Sequence, residues 1–200
     1  MMRKKEGEKM KVLIVYAHPN PRSFCHAVLE SFTKGLKDAG HTFEVLDLYN
    51  LGFHTTFKAE DLVQFRGGKM PQDVLDQQEK VSQADAMAFI YPTVGFYLPS
   101  ILMGWQERIF SFGFAYTAGK EGTKGLLGDK KAINISTTGM SEEFYRASGT
   151  GDATKKLIGT VYWLAGIKDY KIVNLYSPGA VGDEVRKKYL EKAYSLGKEF

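Results

Sequence analysis

The chain has 200 residues, 44% hydrophobic and 25% charged, with a net charge of +4. This is the make-up of one globular domain with a substantial core, and the mild charge, with no basic stripe interleaved with aromatics, excludes nucleic acid as the expected partner. Cys25 is the only cysteine, which excludes a disulfide framework and a cysteine zinc site and fits a reducing compartment. No apolar run is long enough to span a membrane and no signal-peptide pattern precedes the domain, so a cytoplasmic protein is expected.

Met1–Met10 is polar and charged and is expected to fray, leaving 11–200 as a single domain. Lys11–Tyr16 (KVLIVY) is short, apolar and β-branched, the pattern of a strand buried on both faces. Ala17–Arg22 then brings two prolines and an asparagine, which end the strand and delay the helix. Ser23 is placed as an N-cap. Phe24, Val28, Leu29, Phe32 and Leu36 follow at helical spacing, Lys34 and Lys37 lie near the far end, and Gly40 suits a C-cap. Thr42–Leu48 is a second strand. Tyr49–Gly68 is irregular, with a short helix over Glu60–Phe65. Pro71 opens a helix at its first turn, with Val74, Leu75, Gln78 and Val81 facing inward. Ala86–Tyr91 is a third strand and Pro92–Leu98 a loop. Pro99 starts a helix to about Phe110, with Ile101, Leu102, Trp105 and Ile109 as its apolar stripe. Gly119–Gly128, rich in glycine and lysine, reads as a surface loop. Lys131–Ser136 is the fourth strand and Thr137–Asp152 a long polar loop. Ala153–Leu164 is helical and stops at Gly166. Tyr170–Leu175 is the fifth strand and Asp183–Leu196 the last helix.

Strands alternating with helices imply an α/β, doubly wound, five-stranded parallel sheet with helices on both faces, in the flavodoxin-like order 2-1-3-4-5. Ligands then gather at the loops after strands one, three and four: Ala17–Arg22, Pro92–Leu98 and Thr137–Asp152. The free N–H groups at the start of the first helix suit an anion such as a phosphate, with Ser23 and His18 as added donors. An ordinary capped helix, with His18 satisfying a turn, accounts for that stretch equally well. There is no G-x-G-x-x-G, no G-x-x-x-x-G-K-[ST] and no G-x-S-x-G. His18, His26, His41 and His54 lack metal-ligand spacing, so no metal is expected.

The residues resemble a known family. His18-x4-Ser23-Phe24 follows strand one. Tyr91-Pro92 and Phe96-x2-Pro99 follow strand three, then Gly104-Trp105-x2-Glu107-Arg108 and Phe114-Ala115-Tyr116-Thr117. Thr137-Thr138-Gly139, with Tyr145, follows strand four. Together these are similar to the NAD(P)H:quinone oxidoreductases of the flavodoxin-like fold. That branch includes the mammalian quinone reductase and the bacterial modulator of drug activity and potassium-efflux ancillary proteins.

The resemblance implies a tightly held FMN or FAD, NADPH or NADH as donor, and a two-electron, ping-pong transfer to a quinone, nitro or azo acceptor. His18, Ser23, Phe24 and the backbone at Cys25 would hold the flavin phosphate. Pro92, Thr93, Val94, Gly95 and Phe96 would lie along the ring, while Thr137, Thr138, Gly139 and Met140 would bond its polar edge. Tyr145 would be the catalytic side chain, stabilising charge as hydride moves. Phe114 and Tyr116 would border a substrate pocket completed by a second copy of the chain in a homodimer. Two departures stand out: the family's mammalian member carries a Trp where Gly95 stands, and its proton-donating His falls at about Gly151. A Tyr–His relay therefore does not carry over.

Plainer roles are set beside these. Cys25 reads as a small buried group, Trp105, Glu107 and Arg108 as packing and pairing on their helix, and His26, His41 and His54 as structural. Two other functions stay open: a flavoprotein regulating a potassium-efflux system at the membrane, and a one-electron flavodoxin-type carrier.

Overall fold

The computed structural model describes residues 8–200; residues 1–7 of the expected extension lie outside the described residues. The packed chain begins ahead of Lys11. Met10 is buried, its N–H donates to His41 Nδ1 at 3.0 Å, and its carbonyl accepts from Thr42 N.

Strand β1 (Lys11–Tyr16) is apolar throughout because both its faces are covered. Val12, Ile14 and Tyr16 meet Val28, Phe32 and Leu36 of helix α1 (Phe24–Asp38) and Ala193 of α6 (Asp183–Lys198). Leu13 and Val15 join Val74 of α2 (Gln72–Gln83), Trp105 of α3 (Ser100–Ile109) and Ile158 of α5 (Thr150–Ala165). β3 (Ala86–Pro92) alternates in the same way. With β2 (Thr42–Asp47), β6 (Lys131–Thr138) and β7 (Asp169–Tyr176), the sheet runs β2-β1-β3-β6-β7, every pair parallel. This is the expected 2-1-3-4-5 order. Its direction reverses between β1 and β3, so the carboxyl ends of β1, β3 and β6 open onto one crevice.

Local chemistry explains the elements. Ser23 caps α1, accepting from His26 N at 3.1 Å. Ala39 is the C-cap and Gly40, at φ +81°, follows it one position later. Pro71 and Pro99 are N-caps, not first helical residues. The expected short helix is a 3₁₀ segment over Ala59–Arg66. Two expected loops hold more structure. The 119–128 segment contributes to an antiparallel hairpin, β4 (Tyr116–Gly119) with β5 (Gly122–Gly125). The 137–152 segment contains α4 (Glu142–Ala147), capped by Ser141, and the start of α5.

Helices α1 and α6 cross at a pair of glycines. A Cβ on Gly35 would lie 2.1 Å from Tyr194 O, and one on Gly197 would lie 2.1 Å from Phe32 O. Backbone cannot yield as a side chain can, so Gly197→Ala should lower the unfolding free energy by about 1–3 kcal/mol. A denaturant midpoint unchanged from the parent would refute this contact.

The irregular stretch after β2 is fastened from inside. Arg108, 1% exposed, does not pair along its own helix. Its guanidinium grips Asp61 at 2.9 and 3.0 Å, reaches Asp73 at 2.6 and 3.2 Å, and donates to His54 O at 2.6 Å. His54 thereby contributes through its carbonyl. One arginine thus holds α3, α2 and the 3₁₀ segment together.

Candidate functional site

The loop after β1 is braced by its own side chains. His18 Nδ1 accepts from Asn20 N at 3.0 Å, Asn20 Oδ1 accepts from Arg22 N at 2.9 Å, and Ser23 N donates to Asn20 O. With Nδ1 accepting, the His18 proton resides on Nε2, which remains a donor. Burial, with His26 nearby, lowers the His18 pKa below the ordinary imidazole value, so the ring is neutral at pH 7. At the start of α1, His26 N and Ala27 N bond back to Ser23. Phe24 N and Cys25 N have no intrahelical acceptor, as at any helix start, and the positive end of the helix dipole coincides with them.

The loop after β3 is a tight two-residue reversal. Val94 and Tyr97 exchange backbone bonds at 3.0 and 3.1 Å, with Gly95 at φ +56° and Phe96 at φ +66° between them. Positive φ at both central positions is the hairpin geometry that suits the strand twist, but for Phe96 it is strained. Thr154 Oγ1 pins the turn by donating to Phe96 O at 3.2 Å. The Phe96 ring stacks on Phe144 of α4, with centroids 5.7 Å apart at 21°.

The loop after β6 meets both of the others. Thr137 O accepts from Thr93 N at 2.8 Å. The buried Cys25 thiol reaches the Thr137 side chain, and burial pushes its pKa up to about 12, which suits a packing group and not a redox thiol. Tyr145, 2% exposed, is no loop aromatic. It is the one buried residue of α4 and packs edge-on against Phe96 and Tyr176. Its hydroxyl accepts from Thr138 Oγ1 at 2.9 Å and donates only across 3.5 Å to Thr93 Oγ1. Thr138 Oγ1 in turn accepts from Met140 N at 3.3 Å. Gly95 and Gly139 face open space; a Cβ on either would meet nothing within 4 Å. Gly151 does lie against Tyr145, where a Cβ would be 3.5 Å from its carbonyl oxygen, but it supplies no second proton carrier.

The structure therefore brings His18, Ser23, Phe24, Cys25, Pro92, Thr93, Val94, Gly95, Phe96, Thr137, Thr138, Gly139, Met140 and Tyr145 to one sheet edge. Phe114 and Tyr116 lie elsewhere. Phe114 packs half-buried on the core, and Tyr116 lines a separate cavity of about 280 Å³ with Tyr97, Met103, Phe110 and Leu164. Sequence reasoning missed Phe144, Tyr176 and Ser177. Ser177 is at φ +47°, and among the described residues it and Phe96 are the non-glycine positions with positive φ. Ser177 N donates to Thr138 O at 2.7 Å. Both strained residues border this site, where strain is commonly retained for function. Among the described residues no cluster could hold a metal ion, and no helix is long and apolar enough to cross a membrane.

Comparison with known proteins places this arrangement. The family described as "Flavodoxin-like fold" matches residues 10–196. The chain is 30% identical over 199 residues to the ribosyldihydronicotinamide dehydrogenase (quinone) of Pongo abelii, covering 88% of this chain and 86% of that protein. It is 33% identical over 156 residues to NAD(P)H dehydrogenase (quinone) 1 of Cavia porcellus, covering 70% of this chain. The matched region spans only 57% of that protein, and 61% of a Penicillium crustosum ribosyldihydronicotinamide dehydrogenase-like protein. In three dimensions it is similar to the NAD(P)H:quinone oxidoreductase from Methanothermobacter marburgensis, with a TM-score of 0.87 and 33% identity over 96% of this chain and 98% of that one. On its match over residues 10–196, the chain belongs to the flavodoxin-like fold family, and NAD(P)H:quinone oxidoreductases are among the proteins it is similar to.

Proposed function

We propose that the chain is a flavin-dependent oxidoreductase that takes hydride from NADPH or NADH and passes two electrons to a quinone, nitro or azo acceptor in alternating half-reactions. The observation that carries this reading is the convergence of the three loops. Donor groups gather at the start of α1, Gly95 and Gly139 face open space, and Tyr145 packs against Phe96 beside them. Those features fit FMN or FAD. A solved FMN-dependent NADH-azoreductase of the same fold is in complex with FMN, and relatives named above are NAD(P)H dehydrogenases.

In this reading the N–H groups of Phe24 and Cys25, with Ser23 and His18 Nε2–H, hold the phosphate. Pro92–Phe96 lies along the ring, and Thr137–Met140 faces its polar edge. The bound flavin supplies the hydride chemistry. Tyr145, oriented by Thr138, would direct its O–H toward negative charge that develops as hydride arrives or leaves. Titration of the purified full chain with FMN and with FAD, followed by flavin fluorescence, should saturate at one flavin per chain for at least one of them. No quenching by either would refute the reading.

Phe96 gives a sharper check. Phe96→Gly should relieve roughly 1–2 kcal/mol of left-handed backbone strain, so the flavin-free protein should unfold at the same denaturant concentration or higher. Flavin affinity should nevertheless fall several-fold as the ring is lost. A less stable protein with unchanged affinity would mark Phe96 as structural only.

The same proposal includes a cytoplasmic homodimer. Leu157, Trp163 and Met103 stand exposed on α5 and α3, Met103 at the cavity lined by Tyr116, and exposed large apolar side chains of this kind favour burial against a second copy. Sedimentation should report twice the 22.4 kDa chain mass; a monomer at micromolar concentration would contradict it.

A further inference from the structure

Tyr16, the last residue of β1, is 1% exposed, yet its hydroxyl has no hydrogen-bond partner in the protein. It lies toward Ser23, whose oxygen accepts from His26 N at 3.1 Å, without reaching hydrogen-bond geometry. The Asp47 carboxylate, whose charge also acts on it, is bound by Tyr49 N at 3.1 Å and Asn50 Nδ2 at 2.7 Å. The His26 ring packs edge-on against Tyr16, centroids 5.7 Å apart, and its buried Nδ1 is likewise unpartnered. Burial pushes the Tyr16 pKa up to about 12, so the group remains an O–H donor at any physiological pH.

A buried hydroxyl without a partner is costly. A phenylalanine would fill the same volume at this position without that cost. The hydroxyl stands beside the N-cap of a 15-residue helix whose Phe24 and Cys25 N–H groups are free of intrahelical acceptors. The Tyr16 hydroxyl and the Phe24 and Cys25 N–H groups all donate, so a partner that serves them together is an acceptor, and the helix dipole favours a negative one.

We propose that the Tyr16 hydroxyl is a further ligand of the phosphoryl group held at the α1 N-terminus, reading the phosphate of the flavin and not its ring. This rests on the flavin reading for the identity of the remainder of the ligand. The test compares the flavin-stripped full chain with Tyr16→Phe, which keeps the ring and its packing. FMN, riboflavin (which lacks the phosphate) and inorganic pyrophosphate are titrated into each.

Tyr16→Phe should weaken FMN about tenfold, the effect of one hydrogen bond to a charged acceptor, and leave riboflavin within twofold. Its thermal midpoint should equal or exceed the parent's without ligand and fall below it with FMN bound. Equal losses for FMN and riboflavin, or none for either, would overturn the proposal. If the parent binds neither flavin, the flavin reading fails by itself. Pyrophosphate then decides Tyr16: stronger thermal protection of the parent than of Tyr16→Phe supports the proposal, and equal or absent protection overturns it.

Discussion

Replacing Arg108 with methionine should lower the unfolding free energy by about 3–5 kcal/mol, the largest single effect expected in this protein. The arginine is 1% exposed and Asp61 is fully buried. Loss of the guanidinium would therefore leave a carboxylate in the interior with no counter-charge. For a domain of this size the loss corresponds to a drop in thermal midpoint of roughly 10–15 °C. Lysine should not rescue it, because one ammonium cannot serve two carboxylates and a carbonyl as a planar fork does. The double variant Arg108→Met/Asp61→Asn should be more stable than Arg108→Met alone, since the stranded charge is gone. A single variant within 1 kcal/mol of the parent would mean that the cluster contributes little.

The same cluster sets an acid limit. The Arg108 hydrogen bonds hold the Asp73 carboxyl below the usual carboxylate range. A depressed pKa in the folded state adds stability that is fully present above about pH 4 and is lost as pH falls through the folded value. Asp73 is partly exposed, so this contribution is modest.

The second large effect concerns chemistry and not stability. Tyr145→Phe keeps the ring among Phe96, Phe144 and Tyr176 and removes one neutral hydrogen bond, worth about 1 kcal/mol. If the Tyr145 proton steadies charge during hydride transfer, the single-turnover rate of flavin reduction should fall roughly 10–100-fold, while flavin affinity stays within about threefold. Gly151 offers no side-chain proton to take its place. An unchanged rate would reduce Tyr145 to a packing residue.

Much of the fold could be read from the chain because the buried strands are continuous apolar runs ended by clear turn residues. Ala86–Tyr91 and Lys131–Ser136 were legible for that reason, and strand order followed from the alternation with helices. The hairpin at Tyr116–Gly125 was not. Its strands are glycine- and lysine-rich, largely exposed and without alternation. Helix α4 was hidden by its length of six residues, although Ser141 followed by Glu142 and Glu143 is a capping signal that could have marked it.

The site was legible where motif and loop coincide, as at His18, Ser23 and Thr137–Gly139. Its far-apart partners were not: Arg108 meets residues 35 and 47 positions away. Phe144 and Ser177 matter only through a stacked ring and a strained φ that no spacing reveals. Tyr16 read as one more apolar strand residue, and only its unpartnered hydroxyl sets it apart.

The most direct test of the central claim is anaerobic addition of NADPH, and then NADH, to the purified protein, supplied with FMN or FAD, while its visible absorbance is recorded. The account predicts that at least one donor bleaches the flavin bands within seconds and that a quinone restores them with two electrons per flavin. A protein that carries no flavin and takes up none, or a bound flavin that neither donor reduces, would contradict it.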